Sequence, residues 1–231
     1  MSRYIVLLAI LCSLAALFGC TESGTTGPDK SSDGSQLLGL ANARTLEYLQ
    51  TDTVTSFVPQ YQVTVTSTDV KVHVTGSDPD WVISIGDRPA INLKVTDPYI
   101  LQNGYWRPIG NTDTLIYFAD PAIVLKRSVQ GSVSWKTYTP MYSNGSTESR
   151  LVLYNSYFGF YQSKAFVSKE QLLIPAGAFS ASRFDVDLFL DRTDSLAVAS
   201  ATEYYAPGVG LAKLVFEGQG LKRVLSLTKY Y

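Results

Sequence analysis

Long stretches of the chain alternate apolar and polar residues with a period of two. Val63 and Val65 alternate with polar residues, and a second alternating run begins at Val70. Alternation at this period, with β-branched residues at the apolar positions, is typical of half-buried antiparallel strands. The pattern predicts two strands here, joined as a hairpin at the polar break over residues 67–69.

Turn signals interrupt the strand pattern at short intervals through the rest of the chain. They include Asp97-Pro98, Asn144-Gly145, Pro175-Ala176-Gly177, Pro207-Gly208 and Gly218-Gln219-Gly220. Glycine and asparagine supply the positive φ angles of tight turns, and proline fixes a bend, so each group predicts the end of a strand. The spacing predicts an all-β fold with antiparallel strands, either as a sandwich or as a half-open or closed barrel.

Helical patterns are scarce. Residues 37–49 are compatible with a short helix, but Gly39 and Asn42 weaken it, and the segment is equally compatible with a first strand. Residues 168–171 allow one helical turn, which Pro175 soon ends.

The first twenty residues differ from the rest of the chain. A short start containing Arg3 precedes an apolar run that begins at Ile5, which is the layout of a secretory signal peptide and is short for a spanning helix of about 20 residues. The run ends in Leu-Phe-Gly-Cys, and this tetrapeptide resembles the lipobox of bacterial lipoproteins. The resemblance implies signal cleavage between Gly19 and Cys20, and acylation of Cys20 by a diacylglyceryl thioether and an N-acyl chain such as palmitate. The alternative is that Cys20 is an ordinary thiol after an ordinary signal peptide or membrane anchor.

The segment after the cysteine is polar throughout. Residues 21–36 contain no apolar side chain to bury, so they predict a disordered tether. The chain then divides into a signal peptide over 1–19, a lipidated tether over 20–36 and a single β domain over 37–231. The alternative is a further division near residues 140–147 into two sandwiches.

Composition excludes several classes of function. The formal net charge is −1 and 17% of the residues are charged, so no basic surface for nucleic acid is expected. One histidine and two cysteines leave little material for a zinc site or a Cys/His catalytic pair. Because Cys12 leaves with the signal peptide and Cys20 is acylated, the mature domain has no thiol for a disulfide. We expect no enzyme: no catalytic residue, no cofactor and no metal site.

Two groups of residues nevertheless raise the question of chemistry. His73 lies on the polar phase of its strand, where a solvent-facing histidine is expected and a general base is the alternative. Asp185, Asp187 and Asp191 share one phase of a predicted strand, which indicates a solvated face, with a calcium loop as the alternative.

Aromatic residues are abundant, at 12% of the chain, with three tryptophans and 15 tyrosines. We expect most of them in the core and in cross-strand pairs. The alternatives are the lining of an apolar ligand cavity or a sugar-binding face, because tyrosine and tryptophan combine a flat apolar ring with a polar tip.

The last sixty residues carry a sequence resemblance. The segments 174–179 (Ile-Pro-Ala-Gly-Ala-Phe) and 204–213 (Tyr-Tyr-Ala-Pro-Gly-Val-Gly-Leu-Ala-Lys) are followed by a final strand that reaches Tyr230. This pattern resembles a diffuse group of bacterial envelope lipoproteins, including proteins called TapB-like. The resemblance covers roughly residues 170–231 and implies an antiparallel, strongly curved sheet.

These observations predict a lipid-anchored bacterial cell-envelope protein whose non-catalytic β domain has a binding or structural role. The alternative is a carrier of a lipid or other apolar ligand in a half-barrel cavity. The expected partners are the membrane, through acyl chains on Cys20, and an apolar small molecule or an envelope protein. Thr21 after the cysteine favours the outer membrane by the sorting rule of enteric bacteria.

Overall fold

The structure of the protein is a computed structural model that describes residues 32–129, 131–143 and 148–231. Most of these residues lie in strands, and the described part has one short helix. In chain order the elements are β1 (Ser32–Asp33), α1 (Gly34–Leu37), β2 (Arg44–Ser56), β3 (Gln62–Ser77), β4 (Asp80–Ile85), β5 (Arg88–Val95), β6 (Tyr99–Ile109), β7 (Thr112–Lys126), β8 (Ser128–Val129), β9 (Ser134–Thr139), β10 (Tyr142–Ser143), β11 (Glu148–Ser149), β12 (Leu151–Leu153), β13 (Ser156–Phe158), β14 (Phe160–Ile174), β15 (Gly177–Phe189), β16 (Ala199–Ala206), β17 (Gly210–Gly218) and β18 (Leu221–Tyr230). The prediction of an all-β fold is confirmed.

Twelve of the strands form one antiparallel sheet, in the order β7-β6-β5-β4-β3-β2-β18-β17-β16-β15-β14-β9. Strands β2 to β7 follow one another as a meander, and strands β14 to β18 form a second meander that joins the first where β18 pairs with β2. Neighbouring strands are thus mostly consecutive in the chain, as expected for short antiparallel connections. The sheet has β7 and β9 as its two edges.

The two edges meet, so the sheet is nearly closed into a barrel. The backbone N–H of Ile123 in β7 donates to Thr137 Oγ1 in β9 at 2.8 Å, and Trp135 Nε1 donates to the carbonyl of Ile123 at 3.2 Å. Lys126 Nζ donates to the carbonyl of Ser134 at 3.1 Å. Side chains therefore bond to backbone N–H and C=O groups of the two edge strands, where a regular ladder is missing. The predicted strongly curved single sheet is confirmed, and it has the form of a barrel rather than a sandwich.

Alternate residues of each strand face the inside of the barrel. In β2 these are Leu46 and Tyr48, which are 0% and 1% exposed, and in β3 they are Val72 and Val74. Burying each large apolar side chain stabilises the fold by about 1.5–3 kcal/mol. The period-two pattern of the sequence matches this interior at Val72 and Val74, but Val63 and Val65 in the first half of β3 are 46% and 61% exposed.

The hairpin predicted around residues 67–69 is wrong. Strand β3 runs without a break from Gln62 to Ser77, and residues 67–69 pair with β2 in regular register. The turn lies instead between β2 and β3, over residues 57–61. The long partner strand holds the polar stretch extended, so the ladder prevails over the local turn signal.

The helical expectations are corrected as well. Helix α1 precedes residues 38–49, and β2 begins at Arg44, so most of the ambiguous segment is strand or turn. Residues 168–171 lie within β14 and pair with residues 180–183 of β15. The turns predicted at 175–177, 207–208 and 218–220 fall between or at the ends of consecutive strands, and the turn predicted at Asn144-Gly145 lies outside the described residues.

The start of the domain differs from the predicted tether. Residues 20–31 of the tether lie outside the described residues, but residues 32–36 belong to the same compact unit, Ser31–Tyr231, as the barrel. Asp33 caps α1 by accepting a hydrogen bond from the N–H of Ser35 at 2.8 Å, and the N–H of Gly34 donates to the carbonyl of Arg127 at 2.7 Å. Gly34 can approach this closely because it has no side chain to collide with the backbone of Lys126.

Candidate functional site

A short hairpin fills the inside of the barrel. Strands β12 and β13 pair with each other from Leu151 to Phe158, and in the described part of the chain neither joins the twelve-stranded sheet. Tyr154 at the turn has a φ of +54°, the left-handed conformation that tight hairpin turns require. Tyr157 and Phe158 are both 0% exposed. This inner hairpin, Leu151–Phe158, therefore occupies the space where a half-open carrier would hold its ligand.

A buried ion pair lies beneath the inner hairpin. Lys164 Nζ is 2.6 Å from Glu203 Oε2, and the two side chains are 1% and 0% exposed. The Tyr157 hydroxyl donates to Glu203 Oε1 at 2.6 Å, and the Tyr205 hydroxyl donates to Oε2 at 2.8 Å. Lys164 also donates to the carbonyl of Val124 at 3.2 Å. Three donors on one carboxylate offset much of the cost of burying its charge.

These four side chains, the Glu203 cluster (Tyr157, Lys164, Glu203 and Tyr205), include residue types that can act as acids and bases. Their polar atoms are nevertheless bonded to one another, and four cavities elsewhere in the described part of the chain are lined by other residues. A cluster whose polar atoms bond to one another suits a structural role, because the bond from Tyr157 to Glu203 can form only when the inner hairpin is correctly placed.

The interior tyrosines stay protonated far into the alkaline range. Burial, and secondly the charge of Glu203, raise the pKa values of Tyr157 and Tyr205 well above the ordinary value. Burial also raises the pKa of Tyr154 to about 12 and that of Tyr48 well above its usual range. The Tyr48 hydroxyl donates to the carbonyl of Leu211 at 2.5 Å, so it is satisfied in the neutral form.

These shifts predict alkaline unfolding. A pKa that is higher in the folded state than in the unfolded state leaves stability intact below the unfolded value, near pH 10, and removes it as the pH rises toward the folded value. For Tyr154, whose folded pKa is about 12, the loss across that window is about 2–3 kcal/mol. Urea unfolding between neutral pH and about pH 12 should show a steep fall in the free energy of unfolding. Tyr154→Phe should make that fall shallower, Tyr117→Phe on the exposed surface should not, and identical slopes in the three proteins would contradict the assignment.

Side-chain contacts, rather than a backbone ladder, tie the inner hairpin to the barrel wall. Arg223 donates from Nε and Nη2 to the two carboxylate oxygens of Asp52 at 2.8 and 2.7 Å, and from Nη1 to the carbonyl of Val152 at 2.6 Å. The hydrogen bonds from Arg223 lower the pKa of Asp52. Deeper inside, Asn155 Nδ2 donates to the Tyr205 hydroxyl at 3.0 Å. The inner hairpin is thus bonded to the barrel wall at Val152 in its first strand and at Asn155 in its turn.

Two clefts between described residues lie against the inner hairpin. One cleft of about 60 Å³ lies between Val152 and the wall at Val72, and a second of about 130 Å³ lies between Leu151 and the wall at Phe216. Sites for small apolar ligands measure roughly 300–1,000 Å³. Each of these two clefts is smaller than such a site.

A groove with an aromatic lining lies on the outer surface of the barrel. It has a volume of about 280 Å³, and its floor carries the aromatic side chains of Tyr138, Tyr161 and Phe189. Register places Tyr161 of β14 directly opposite Tyr138 of β9 on one side and Phe189 of β15 on the other. The two tyrosine rings stack, with centroids 4.5 Å apart and planes at 29°. We name this site the far groove.

Four charged side chains border the far groove. Lys136 lies on β9, and Asp191, Arg192 and Asp194 lie on the loop that connects β15 to β16; all four are exposed. The loop is shaped by its own bonds, because the N–H of Asp191 donates to Asp194 Oδ2 at 2.9 Å and Asp191 Oδ1 accepts from the N–H of Thr193 at 3.0 Å. The bonds from Thr193 lower the pKa of Asp191. Two positively and two negatively charged residues thus line this groove.

A second outer groove has about 360 Å³ but offers less to a ligand. It lies between the β14–β15 hairpin and the turn after β16, and Phe179 is its one aromatic residue. Small residues such as Ala178 and Ser180 form most of the remaining lining, and both are exposed.

The predicted lipid site, Cys20 with the cleavage position after Gly19, lies outside the described residues. His73 is half-buried, and its Nδ1 lies 2.9 Å from Thr45 Oγ1, a neighbour in the sheet. The three aspartates do not share a strand face, because β15 ends at Phe189 and Asp191 lies in the following loop. Among the residues that the structure describes, no group of three or more His, Cys, Asp or Glu is placed to hold a metal ion, and no helix has the length and apolarity needed to cross a membrane.

Sequence reasoning did not single out the Glu203 cluster. A signal was present, because Lys164 occupies the inward phase of a strand whose neighbours in that phase are Phe160, Gln162 and Phe166. A lysine in a buried phase requires a partner, yet the partner lies 39 residues away and local sequence does not identify it.

Comparison with solved structures finds proteins of low similarity. A presumed lipoprotein of Parabacteroides distasonis is 12% identical with a TM-score of 0.36, and the match covers 87% of this chain and 100% of that chain. A presumed exported protein with a YmcC-like fold from Bacteroides fragilis is 11% identical with a TM-score of 0.35, over 80% of this chain and 95% of that chain. A LolA superfamily protein from Nitrosomonas europaea is 6% identical with a TM-score of 0.33, over 86% and 92% of the two chains. No family pattern and no curated protein sequence matches the chain.

Proposed function

We propose that this protein is a lipid-anchored component of the bacterial cell envelope. It contacts its ligand or partner protein through the outer surface of a non-catalytic β barrel. The anchor is supported by the sequence Leu-Phe-Gly-Cys at residues 17–20, by the apolar run before it and by the polar segment after it. Two or three acyl chains on one cysteine hold a protein stably at a membrane, since each buried CH₂ contributes about 0.8 kcal/mol. Outer-membrane placement is part of the same proposal and is supported by Thr21.

The observation that carries the binding or structural role is the filled interior. The inner hairpin occupies the barrel, and the Glu203 cluster beneath it bonds to itself. A protein of this construction meets its partners at the outer surface. The far groove combines three aromatic and four charged residues, so it is the proposed point of contact with a ligand or an envelope protein.

Strand direction separates the far groove from the start of the domain. Strand β2 begins at Arg44, whose guanidinium donates to the carbonyl of Val209 at 3.1 Å beside α1, and it runs 13 residues, or about 40 Å, to Ser56. Strand register aligns the Ser56 end of β2, through β18, β17 and β16, with the part of β15 that contains Phe189. Along the strand register, the far groove therefore lies toward the Ser56 end of β2.

Metabolic labelling with a clickable fatty acid tests the anchor. Wild-type protein expressed in a bacterium should become labelled and fractionate with membranes, and Cys20→Ala should lose the label. Cys12→Ala is the matched control, because Cys12 lies in the predicted signal peptide and should not affect labelling. Equal labelling of wild type and Cys20→Ala would refute the lipid anchor.

A further inference from the structure

The far groove has two features that jointly restrict what can bind there. Its floor is a row of aromatic rings from three adjacent strands, and its rim carries two cations and two anions. From this combination we infer that the far groove binds a neutral saccharide. The site deepens the binding role proposed above and does not depend on acyl chains at Cys20.

The aromatic floor fits one side of a sugar ring. A pyranose presents a face of C–H groups, which packs on an aromatic plane and removes apolar area of both partners from water. Tyr138 and Tyr161 are half-buried and stack on each other, which covers one face of each ring and holds the other face in position before a ligand arrives. Little conformational entropy is then lost on binding, because the rings are already ordered.

The charged residues around the groove can form hydrogen bonds with the hydroxyl groups at the edge of the same sugar ring. Each sugar hydroxyl can both donate and accept a hydrogen bond. Lys136 and Arg192 supply donors, whereas Asp191 and Asp194 supply acceptors, and all four side chains line the groove. Charged partners form hydrogen bonds about twice as strong as neutral ones, so a few such contacts orient a neutral ligand.

Other ligand classes fit less well. A phosphate or other anion would face Asp191 and Asp194 as well as the two cations, so no net attraction is available. A lipid chain would have to cover four charged side chains, and their desolvation is not compensated by an apolar partner. The volume of about 280 Å³ lies at the lower limit of small-molecule sites, which suits one or two sugar units of a longer glycan.

Saturation-transfer NMR on the full-length purified chain tests the inference. The protein is held in micelles of a detergent without a sugar headgroup, and the probes are the neutral oligosaccharides maltotriose, cellotriose, mannotriose and chitotriose. We expect saturation to pass from the protein to the ring C–H protons of at least one probe. Tyr161→Ala and Tyr138→Ala should each weaken binding of that probe by about ten-fold. Lys136→Ala should weaken it by a few-fold through the loss of one donor.

Tyr117→Ala is the matched control, because Tyr117 is 69% exposed on β7, away from the groove, and should leave binding unchanged. Thermal unfolding establishes that each variant is folded, and exposed Lys136 provides a variant that disturbs no packing. No transfer to any of the four probes would overturn the inference, and so would equal transfer with wild type, Tyr161→Ala and Lys136→Ala. A wild-type protein that takes up no fatty-acid label would contradict the lipid anchor and would leave the saccharide site unaffected.

Discussion

Replacing Glu203 with glutamine is expected to lower the free energy of unfolding by about 3–5 kcal/mol. The substitution keeps the shape of the side chain but leaves the ammonium of Lys164 buried without a counter-charge. The hydroxyls of Tyr157 and Tyr205 also lose a charged acceptor. Urea unfolding followed by tryptophan fluorescence measures the change. This loss is a large share of the 5–15 kcal/mol that stabilises a typical domain, so the variant should unfold at much lower urea.

Two further variants separate burial from charge. Glu217 forms an ion pair with Lys222 at 2.5 Å on the surface, where the side chains are 53% and 55% exposed, so Glu217→Gln should cost less than about 1 kcal/mol. Adding Lys164→Met to Glu203→Gln should recover part of the lost stability, since no unpaired charge then remains inside. If Glu203→Gln and Glu217→Gln lowered the free energy of unfolding equally, the ion pair between Lys164 and Glu203 would not be buried from solvent as the structure has it.

Phe158→Ala is expected to cost about 3–5 kcal/mol. Phe158 on the inner hairpin is 0% exposed, and its ring contacts those of Tyr142 and Tyr105, with centroids 5.3 and 5.7 Å away. Truncation leaves a cavity in this aromatic group, which the rigid barrel wall can fill only in part. The loss should appear as a lower urea midpoint with an unchanged slope, because the variant still unfolds from the same compact state.

Phe57→Ala is the control for this prediction. Phe57 lies at the tip of the β2–β3 hairpin, is 70% exposed, and contacts the ring of Tyr61 at 5.7 Å. Its truncation should change stability by less than about 0.5 kcal/mol. If Phe158→Ala were equally mild, the inner hairpin would not be part of the folded core, and the filled interior on which the proposed function rests would be in doubt.

The contrast between β3 and β14 illustrates how far local sequence reasoning reaches. Both contain polar stretches that resemble breaks, at residues 67–69 and 168–171, and both stretches are strand because a long neighbouring strand pairs with them. In β3 the period of two correctly places Val72 and Val74 in the interior, since side chains alternate between the two faces of any sheet, whereas Val63 and Val65 of the same strand are exposed. Where a strand ends is decided by its partner, and the partner is distant in the chain.

The far groove shows the same limit for a site. Tyr138, Tyr161 and Phe189 belong to three strands, and the sequence offers no motif that connects them. They become neighbours because β9 pairs beyond β14 at the edge of the sheet and β15 pairs on the other side. The possibility of a sugar-binding face was visible in the abundance of aromatic residues, but the residues that form it were not.

The all-β class and the positions of several turns follow from local properties of the sequence, namely a period of two and the φ preferences of glycine and proline. The strong curvature of the sheet followed from the resemblance of the last sixty residues, and acylation of Cys20 stays a prediction from a short motif. Only the tertiary structure decided that the sheet nearly closes, that the inner hairpin fills it, that Lys164 meets Glu203 and that three aromatic rings form the floor of a groove. Those features depend on register between distant strands, which is set by the packing of the whole interior and by no single segment.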